Sequence, residues 1–490
     1  MNEKVIFEAL TFDDVLLIPA HSEVLPREVD LTSKITRNLT LALPLVSAAM
    51  DTVTGADMAI QMAKLGGIGI LHRNQSIDEQ VAEVDKVKRA ESTIIKDPVT
   101  IESSKTVGDA LQLIKSKGIS GFPVVENGQI RGIVTYRDLW NVEDISIVIS
   151  KVMTSGDDLI TAPYETSFEE ALKILADNRI EKLPLVDKSN NLRGLLTVKD
   201  IEKSRRFPNA SKDSQGRLRV GAAIGVAKDS MDRAERLINS QIDVLVIDSA
   251  HGHSKGVMDL LKRVKKSFPE QEVVAGNVVT EEGTEELIKN GADAVKVGIG
   301  PGASCTTRVV TGVGMPQLSA IMNCRKAAEK KDVPIIADGG IRYSGDIAKA
   351  LAAGASTVMM GSVLAGMEES PGEMILLDGR WFKNYRGMGS IGAMQKGGSD
   401  RYFQEDEEKT KLVPEGIEGR VPYRGSVRES IHQFVGGIRA AMGYCGAANI
   451  NSFQKDAQFA KITLSGIKES HPHDLIISRE APNYQSHGQV

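Results

Sequence analysis

Short, uninterrupted apolar runs alternate along this chain with longer stretches whose apolar residues recur at helical spacing. Residues 41–50 (LALPLVSAAM) form one such run, ending in small residues, and 66–72 (GGIGILH) form the next. Between them Met58, Met62 and Leu65 fall at i, i+4 and i+7, which predicts a helix over 54–65 with Thr54 available as its cap. The rhythm stops near residue 91 and returns after 205. Apolar runs then recur at 220–225, 244–249, 272–276, 294–298, 334–338 and 357–361, separated by helical patterns such as 229–238 and 281–290. Eight buried strands alternating with helices predict an α/β fold, a parallel (β/α)8 TIM barrel with its site at the carboxyl ends of the strands. A doubly wound open sheet is the alternative. No Gly-x-Gly-x-x-Gly follows the first strand, and this favours the barrel.

The interruption repeats itself. Thr106-Val107-Gly108-Asp109-Ala110-Leu111 overlays Ser167-Phe168-Glu169-Glu170-Ala171-Leu172, a capped amphipathic helix in each copy. Phe122-Pro123-Val124-Val125 overlays Leu183-Pro184-Leu185-Val186, and the strand from Gly132 to Thr135 overlays that from Gly194 to Thr197. The offset is about 61 to 62 residues. Each copy has the strand–helix–strand–strand–helix order of a CBS motif, and the pair resembles a CBS tandem (Bateman module). The resemblance implies purine nucleotides as ligands, held by the ends Thr135-x-x-Asp138 and Thr197-x-x-Asp200. Threonine and aspartate after a strand are also ordinary helix caps. The expected organisation is therefore a barrel begun by 1–90, a tandem over 91–205 (copies at about 93–150 and 151–205), and a barrel completed by 206–490.

Beyond the eighth strand, 381–390 (WFKNYRGMGS) holds three aromatics before its glycines, and 391–425 is glycine-rich and charged. A long irregular segment in a compact enzyme reads as a mobile flap. Helical sequence resumes at 426–444. With 490 residues, 41% hydrophobic, 26% charged and a net charge of −5, the composition is that of an ordinary globular protein of more than one domain. No basic excess points to nucleic acid, and no apolar run reaches the roughly 20 residues of a membrane span. The first ten residues carry acidic side chains and no signal-peptide core. Three cysteines, Cys305, Cys324 and Cys445, show no metal-ligand spacing and suggest free thiols in a reducing, cytoplasmic setting.

Candidate chemistry centres on the sixth strand. It runs into Gly298-Ile299-Gly300-Pro301-Gly302-Ala303-Ser304-Cys305-Thr306-Thr307-Arg308, a glycine loop that presents one thiol among hydroxyls and a positive charge. Glycine lets the main chain approach a ligand closely, and a nearby cation favours the reactive thiolate. Polar residues also mark the other strand ends: Met50-Asp51, Asp248-Ser249, Asn277, Asp338-Gly339-Gly340 and Gly361-Ser362.

The cysteine loop, Ala-Asp-Gly-Gly at 337–340, Met-Met-Gly-Ser at 359–362, Tyr-Arg-Gly-Met-Gly-Ser at 385–390 and the CBS pair stand in order. With them the chain resembles the inosine-5′-monophosphate (IMP) dehydrogenase family, in its bacterial form, over essentially its whole length. The resemblance implies NAD-dependent oxidation of IMP to xanthosine 5′-monophosphate, the committed step of guanine nucleotide synthesis. It implies Cys305 as the nucleophile, Arg401 as the base of the hydrolytic step, Tyr402 beside it and Thr307 positioning the water. It places Asp338 on the ribose hydroxyls, backbone amides of Gly340, Gly361 and Ser362 with the Tyr385 hydroxyl about the phosphate, and Ser304 and Gly339 in the substrate site. Met50, Arg386, Gly387, Met388, Gly389 and Glu415 complete the nucleotide site. Asp248, Ser249, Gly298, Ile299 and Gly300 would border NAD. Carbonyls of Gly300, Gly302 and Cys305 would hold K+, completed by Glu469, Ser470 and His471 of a neighbouring subunit in a homotetramer or octamer. Hard oxygen donors suit that ion.

The loop departs from the family pattern, which reads Gly-Ser-Ile-Cys and uses that serine on the phosphate. Here the hydroxyl stands one place later, at Ser304, with Ala303 before it. Adjacent residues of an extended loop point in opposite directions, so the phosphate contact is expected to be lost. Two rivals remain: GMP reductase, which has no use for the Arg401-Tyr402 pair and generally lacks a CBS pair, and a non-catalytic CBS nucleotide sensor.

Overall fold

A computed structural model describes residues 4–90, 94–95, 98–198, 207–402, 404, 408, 410–475, 477–479 and 481–484. Asp97, Lys199 and Asp200, and with Asp200 the end of the second Thr-x-x-Asp, lie outside these residues. The chain divides into two compact units, one of 1–88, 209–211 and 218–490, the other of 89–208 and 212–217.

The first unit is built on eight parallel strands: β1 (Leu45–Ser47), β2 (Ile68–Leu71), β3 (Gly221–Ile224), β4 (Val244–Asp248), β5 (Glu272–Val278), β6 (Ala294–Val297), β7 (Ile335–Asp338) and β8 (Thr357–Met360). They close into a barrel in chain order, with β8 returning to β1 and β2 pairing β3. Alternation explains why each strand reads as wholly apolar. Val244, Val246, Val274, Ala294, Ile336 and Met359 pack together inside, while their neighbours Leu245, Ile247, Val273, Val295, Ala337 and Val358 pack outward in the core that includes the helices. Both faces are dry, as expected of a parallel sheet covered on each side.

The strands and helices fall where the periodicity puts them; one cap does not. The first helix spans Ala56–Lys64, and its N-cap is Gly55. Thr54 instead turns its hydroxyl to the Ala48 carbonyl (2.6 Å), and Glu83 takes the Ala56 N–H. Thr54 is fully buried, so its hydroxyl must find a partner in the core rather than at the helix end. Residues 391–425 are also less irregular than expected. Short helical turns cover Ile391–Ala393 and Ser399–Tyr402, and β11 (Glu418–Pro422) joins β9 (Met374–Leu377) and β10 (Arg380–Arg386) in an antiparallel sheet.

The second unit repeats a helix followed by a hairpin. Helix Val107–Lys117 precedes strands Gly121–Glu126 and Gln129–Thr135; helix Phe168–Asp177 precedes Lys182–Val186 and Leu192–Thr197. Thr106 and Ser167 cap the two helices, each accepting from a backbone N–H three residues on. The short strand leading each copy pairs with the hairpin of the other: Thr154–Ser155 on the first, Ile94–Ile95 on the second. At the first hairpin's end, the Thr135 backbone N–H and hydroxyl both donate to Asp138 (2.7 and 2.8 Å). In this state that pair caps its own turn. It also borders a cleft with Arg137, Asp158, Arg179 and Lys182. Among the described residues, no helix is long and apolar enough to cross a membrane.

Candidate active site

Past β6 the chain turns at Gly302–Cys305, where the Cys305 N–H donates to the Gly302 carbonyl (3.0 Å). The half-buried Cys305 thiol donates to the Thr307 hydroxyl at 3.2 Å. Arg308 spends its donors on the carbonyls of Ile299 and Met315, so its contribution is to brace the loop. A second segment straps the loop from above. Thr306 N–H donates to Glu415 O (2.8 Å), Ile417 N–H to Ser304 O (2.9 Å), and Cys305 bridges Gly416.

Because 302–305 form a turn, the alternation of an extended strand does not apply. The buried Ser304 hydroxyl donates to the hydroxyl of Tyr385 at 3.1 Å. Burial pushes the Tyr385 phenol up, with the Ser304 hydrogen bond opposing it. The Gly361 backbone lies beside the same phenol and the Met50 thioether, and Ser362 lines the same pocket. After β7, Gly339 and Gly340 have φ of +95° and +84°, values that let the main chain turn back over Pro301.

Asp338 ends β7 with Oδ2 accepting from Asn277 (3.0 Å) and Lys296 (2.7 Å). Among the described residues no donor falls on its Oδ1, which leaves that oxygen for a ligand. Asp248 ends β4 with Oδ1 on Lys296 (2.9 Å) and Oδ2 on Arg401.

Arg401 and Tyr402 thus sit inside the pocket. Ala250 N–H donates to the Arg401 carbonyl (3.1 Å), and Tyr402 packs so closely on Gly389 that a Cβ there would lie 2.7 Å from its ring. The preceding Asp400 is buried against Arg73, which pairs with both of its oxygens (2.9 and 2.6 Å). Burial pushes the Arg401 guanidinium below its usual value, and Arg73 adds to that. Tyr402 works the other way.

One pocket therefore gathers Met50, Asp248, Gly298, Ile299, Gly300, Gly302, Ser304, Cys305, Thr307, Asp338, Gly339, Gly340, Gly361, Ser362, Tyr385, Gly387, Met388, Gly389, Arg401, Tyr402 and Glu415. Two expected residues, Ser249 and Arg386, are not brought to it, and the three expected from a neighbouring subunit lie elsewhere on this chain. Ser249 is fully buried, its backbone carbonyl accepting from Asn277 N–H. Arg386 turns its guanidinium onto Asp51 and faces another cleft with Glu373 and Arg420. Ser470 and His471 line a separate hollow with Tyr343 and Tyr484. Glu469, the last residue of its short helix, is exposed.

Residues 9–473 match the family described as IMP dehydrogenase / GMP reductase domain. The chain belongs to that family. Relatives named inosine-5′-monophosphate dehydrogenase are 56% identical in Halalkalibacterium halodurans (97% of this chain, 98% of the relative) and 55% in Bacillus subtilis (97% and 98%). One from Aquifex aeolicus is 56% identical over 98% of this chain and 99% of its own. Among solved structures, a GMP reductase variant from Trypanosoma brucei in complex with guanosine 5′-monophosphate superposes with a TM-score of 0.82 at 42% identity, covering 96% of this chain and 99% of that one. A match that long includes most of residues 91–205, so the presence of an insert does not separate dehydrogenases from reductases.

Sequence reading passed over Lys296. The signal was there: a lone charge in the buried run Ala294-Val295-Lys296-Val297, at the parity that faces the barrel interior. Arg73 and Asp400 were missed for a different reason, being 327 residues apart with no pattern to join them.

Proposed function

We propose that Cys305 acts as the covalent catalyst in the oxidation of IMP. Oxidation of IMP, a step of guanine nucleotide synthesis, is the reaction of the dehydrogenases to which this chain is 53–56% identical over nearly its full length, and it makes this chain an NAD-dependent oxidoreductase. The observation that carries the covalent reading is the meeting of a thiol, a hydroxyl 3.2 Å away, a ribose-type carboxylate and a buried arginine in one pocket at the strand ends.

The Cys305 sulfur bonds to C2 of the purine, and the C2 hydrogen leaves as hydride. NAD, when bound, supplies the hydride acceptor. In the second half, the oxygen of a water bonds to C2, its proton passes to Arg401, and the carbon–sulfur bond breaks to return the thiolate. Splitting one hard step into two is what a nucleophile offers. Thr307 holds the water beside the sulfur, and Tyr402 shares the proton with Arg401. The open Oδ1 of Asp338 takes the ribose hydroxyls, and Tyr385, Gly340, Gly361 and Ser362 surround the phosphate. Gly387, Met388, Gly389 and Glu415 meet the base.

Asp248 suits a ribose diol of NAD, with Gly298, Ile299 and Gly300 beside it, and its Oδ2 is the atom that Arg401 occupies. A ribose and Arg401 cannot hold that oxygen together. The arginine therefore enters only after the dinucleotide has left, which orders the two halves and keeps water out of the first. For K+, the cysteine turn offers backbone carbonyls at Gly300, Gly302 and Cys305, hard oxygens of the right class; the bound ion would hold that turn in shape. Glu469, Ser470 and His471 belong to this site through a neighbouring copy in a tetramer. Purine nucleotides belong to the cleft of the 91–205 tandem, as regulators rather than reactants. The setting is cytoplasmic.

The test is IMP-dependent NADH formation by the purified chain. GMP-dependent oxidation of NADPH with release of ammonia, in place of that signal, would assign the chain to the reductases.

A further inference from the structure

The proposed reaction leaves Lys296 without a task, although it lies at the centre of the site. Its side chain is 2% exposed. The ammonium donates to Asp248 Oδ1 (2.9 Å), to Asp338 Oδ2 (2.7 Å) and to the side-chain oxygen of Asn277. An ammonium has three donors, and three acceptors take them, so none remains for a ligand. Register explains how a residue on β6 reaches one on β4 across the strand between. Asp248 stands opposite Gly276 on β5, and Gly276 stands opposite Lys296. A Cβ on residue 276 would lie 2.7 Å from the Lys296 Cβ, so the lysine stem occupies the space a side chain would have taken.

We propose that Lys296 is a positioning residue that ties Asp248 and Asp338 into one unit, so that the dinucleotide and nucleotide ends of the site are set by a single ammonium. The proposal rests on the assignment of Asp338 to IMP and Asp248 to NAD. Lys296 takes one oxygen from each carboxylate and leaves the other facing the pocket. The charges follow the same logic. With Arg401 seated, two cations face two carboxylates; with Arg401 withdrawn, Lys296 alone stands between them. Without it, two like charges would face each other with no cation between them.

IMP affinity, measured by calorimetry without NAD, tests this in the full-length protein. Lys296→Met fills similar volume without charge, and it should weaken IMP binding at least about tenfold, because Asp338 loses a charged partner. A residue that only fills space would leave that affinity unchanged. Lys296→Arg should recover part of the affinity. Unchanged IMP affinity in a folded Lys296→Met protein overturns the proposal. Should that variant not fold, Lys296→Gln combined with Asp248→Asn restores the charge balance and is compared with Asp248→Asn alone: a further tenfold loss supports the clamp, and equal affinity overturns it. A parent protein that binds no IMP would overturn the assignment of the site itself, and the clamp with it.

Discussion

Removing the Ser304 hydroxyl is the sharpest probe of the phosphate end. In the family pattern a serine precedes this position; here Ala303 stands there and Ser304 donates to Tyr385 at 3.1 Å, with both residues buried. On the proposed assignment of Tyr385 to the phosphate, a serine that donates in this bond leaves the tyrosine's own proton for the substrate. A neutral hydrogen bond contributes about 1 kcal/mol net, so Ser304→Ala should weaken IMP binding about fivefold. Tyr385→Phe removes the donor to a charged acceptor, worth about 1.5–3 kcal/mol, and should weaken binding roughly 10- to 150-fold. If the serine works through the tyrosine, Ser304→Ala should cost nothing more in the Tyr385→Phe background, and the double variant should match the single within about twofold. Titration calorimetry of IMP against the four proteins reads this directly. Full additivity would refute the relay. Unchanged affinity in Ser304→Ala, together with at least about tenfold tighter binding in Ala303→Ser, would show that the phosphate contact was lost and not transferred.

Cys305→Ala should abolish turnover yet bind IMP within about tenfold of the parent, since ribose and phosphate contacts lie elsewhere; measurable steady-state NADH formation would exclude the covalent route. Arg401→Ala should give a burst of NADH followed by slow turnover, with a nucleotide adduct on Cys305 visible by intact mass; equal slowing of the burst would remove the arginine from the hydrolytic step. Iodoacetamide at pH 8 should label Cys305 and spare Cys324, because burial pushes the Cys324 thiol up to about 12 and its side chain is fully enclosed. Peptide mapping that finds Cys324 modified in the folded protein would contradict that. Replacing 91–205 by a short linker should leave a barrel that still oxidises IMP; an insoluble product would count against separate folding of the two units.

The barrel was legible because its strands are dry on both faces, so each appears as a short apolar run whatever its direction. The cysteine loop and its partners were legible because glycines and polar residues gather at strand ends. What escaped depends on contacts with no period in sequence. Thr54 looks like a cap until the carbonyl of Ala48 is seen above it, and Arg386 looks like a ligand residue until Asp51 claims it. The direction of Ser304 turned on a single hydrogen bond, Cys305 N–H to Gly302, which makes a turn of what reads as an extended loop. Lys296 announced itself by parity and could have been found.

The strap over the cysteine loop has a consequence for competition. Glu415 N–H donates to Gly389 O at 3.0 Å, so the stretch that carries Arg401 leaves and rejoins the site at nearly the same point. Arg401 is therefore tethered at both ends, 12 residues from Gly389 and 14 from Glu415, and when it quits Asp248 it stays on that leash. Short tethers hold a group at an effective concentration of about millimolar order. On the proposed assignment of Asp248 to the dinucleotide, free dinucleotide competes with that built-in occupant, and its apparent Kd is the intrinsic Kd divided by the fraction of time the arginine is away. Loosening the tether by lengthening the segment should thus strengthen dinucleotide binding while slowing hydrolysis, two effects of opposite sign from one insertion.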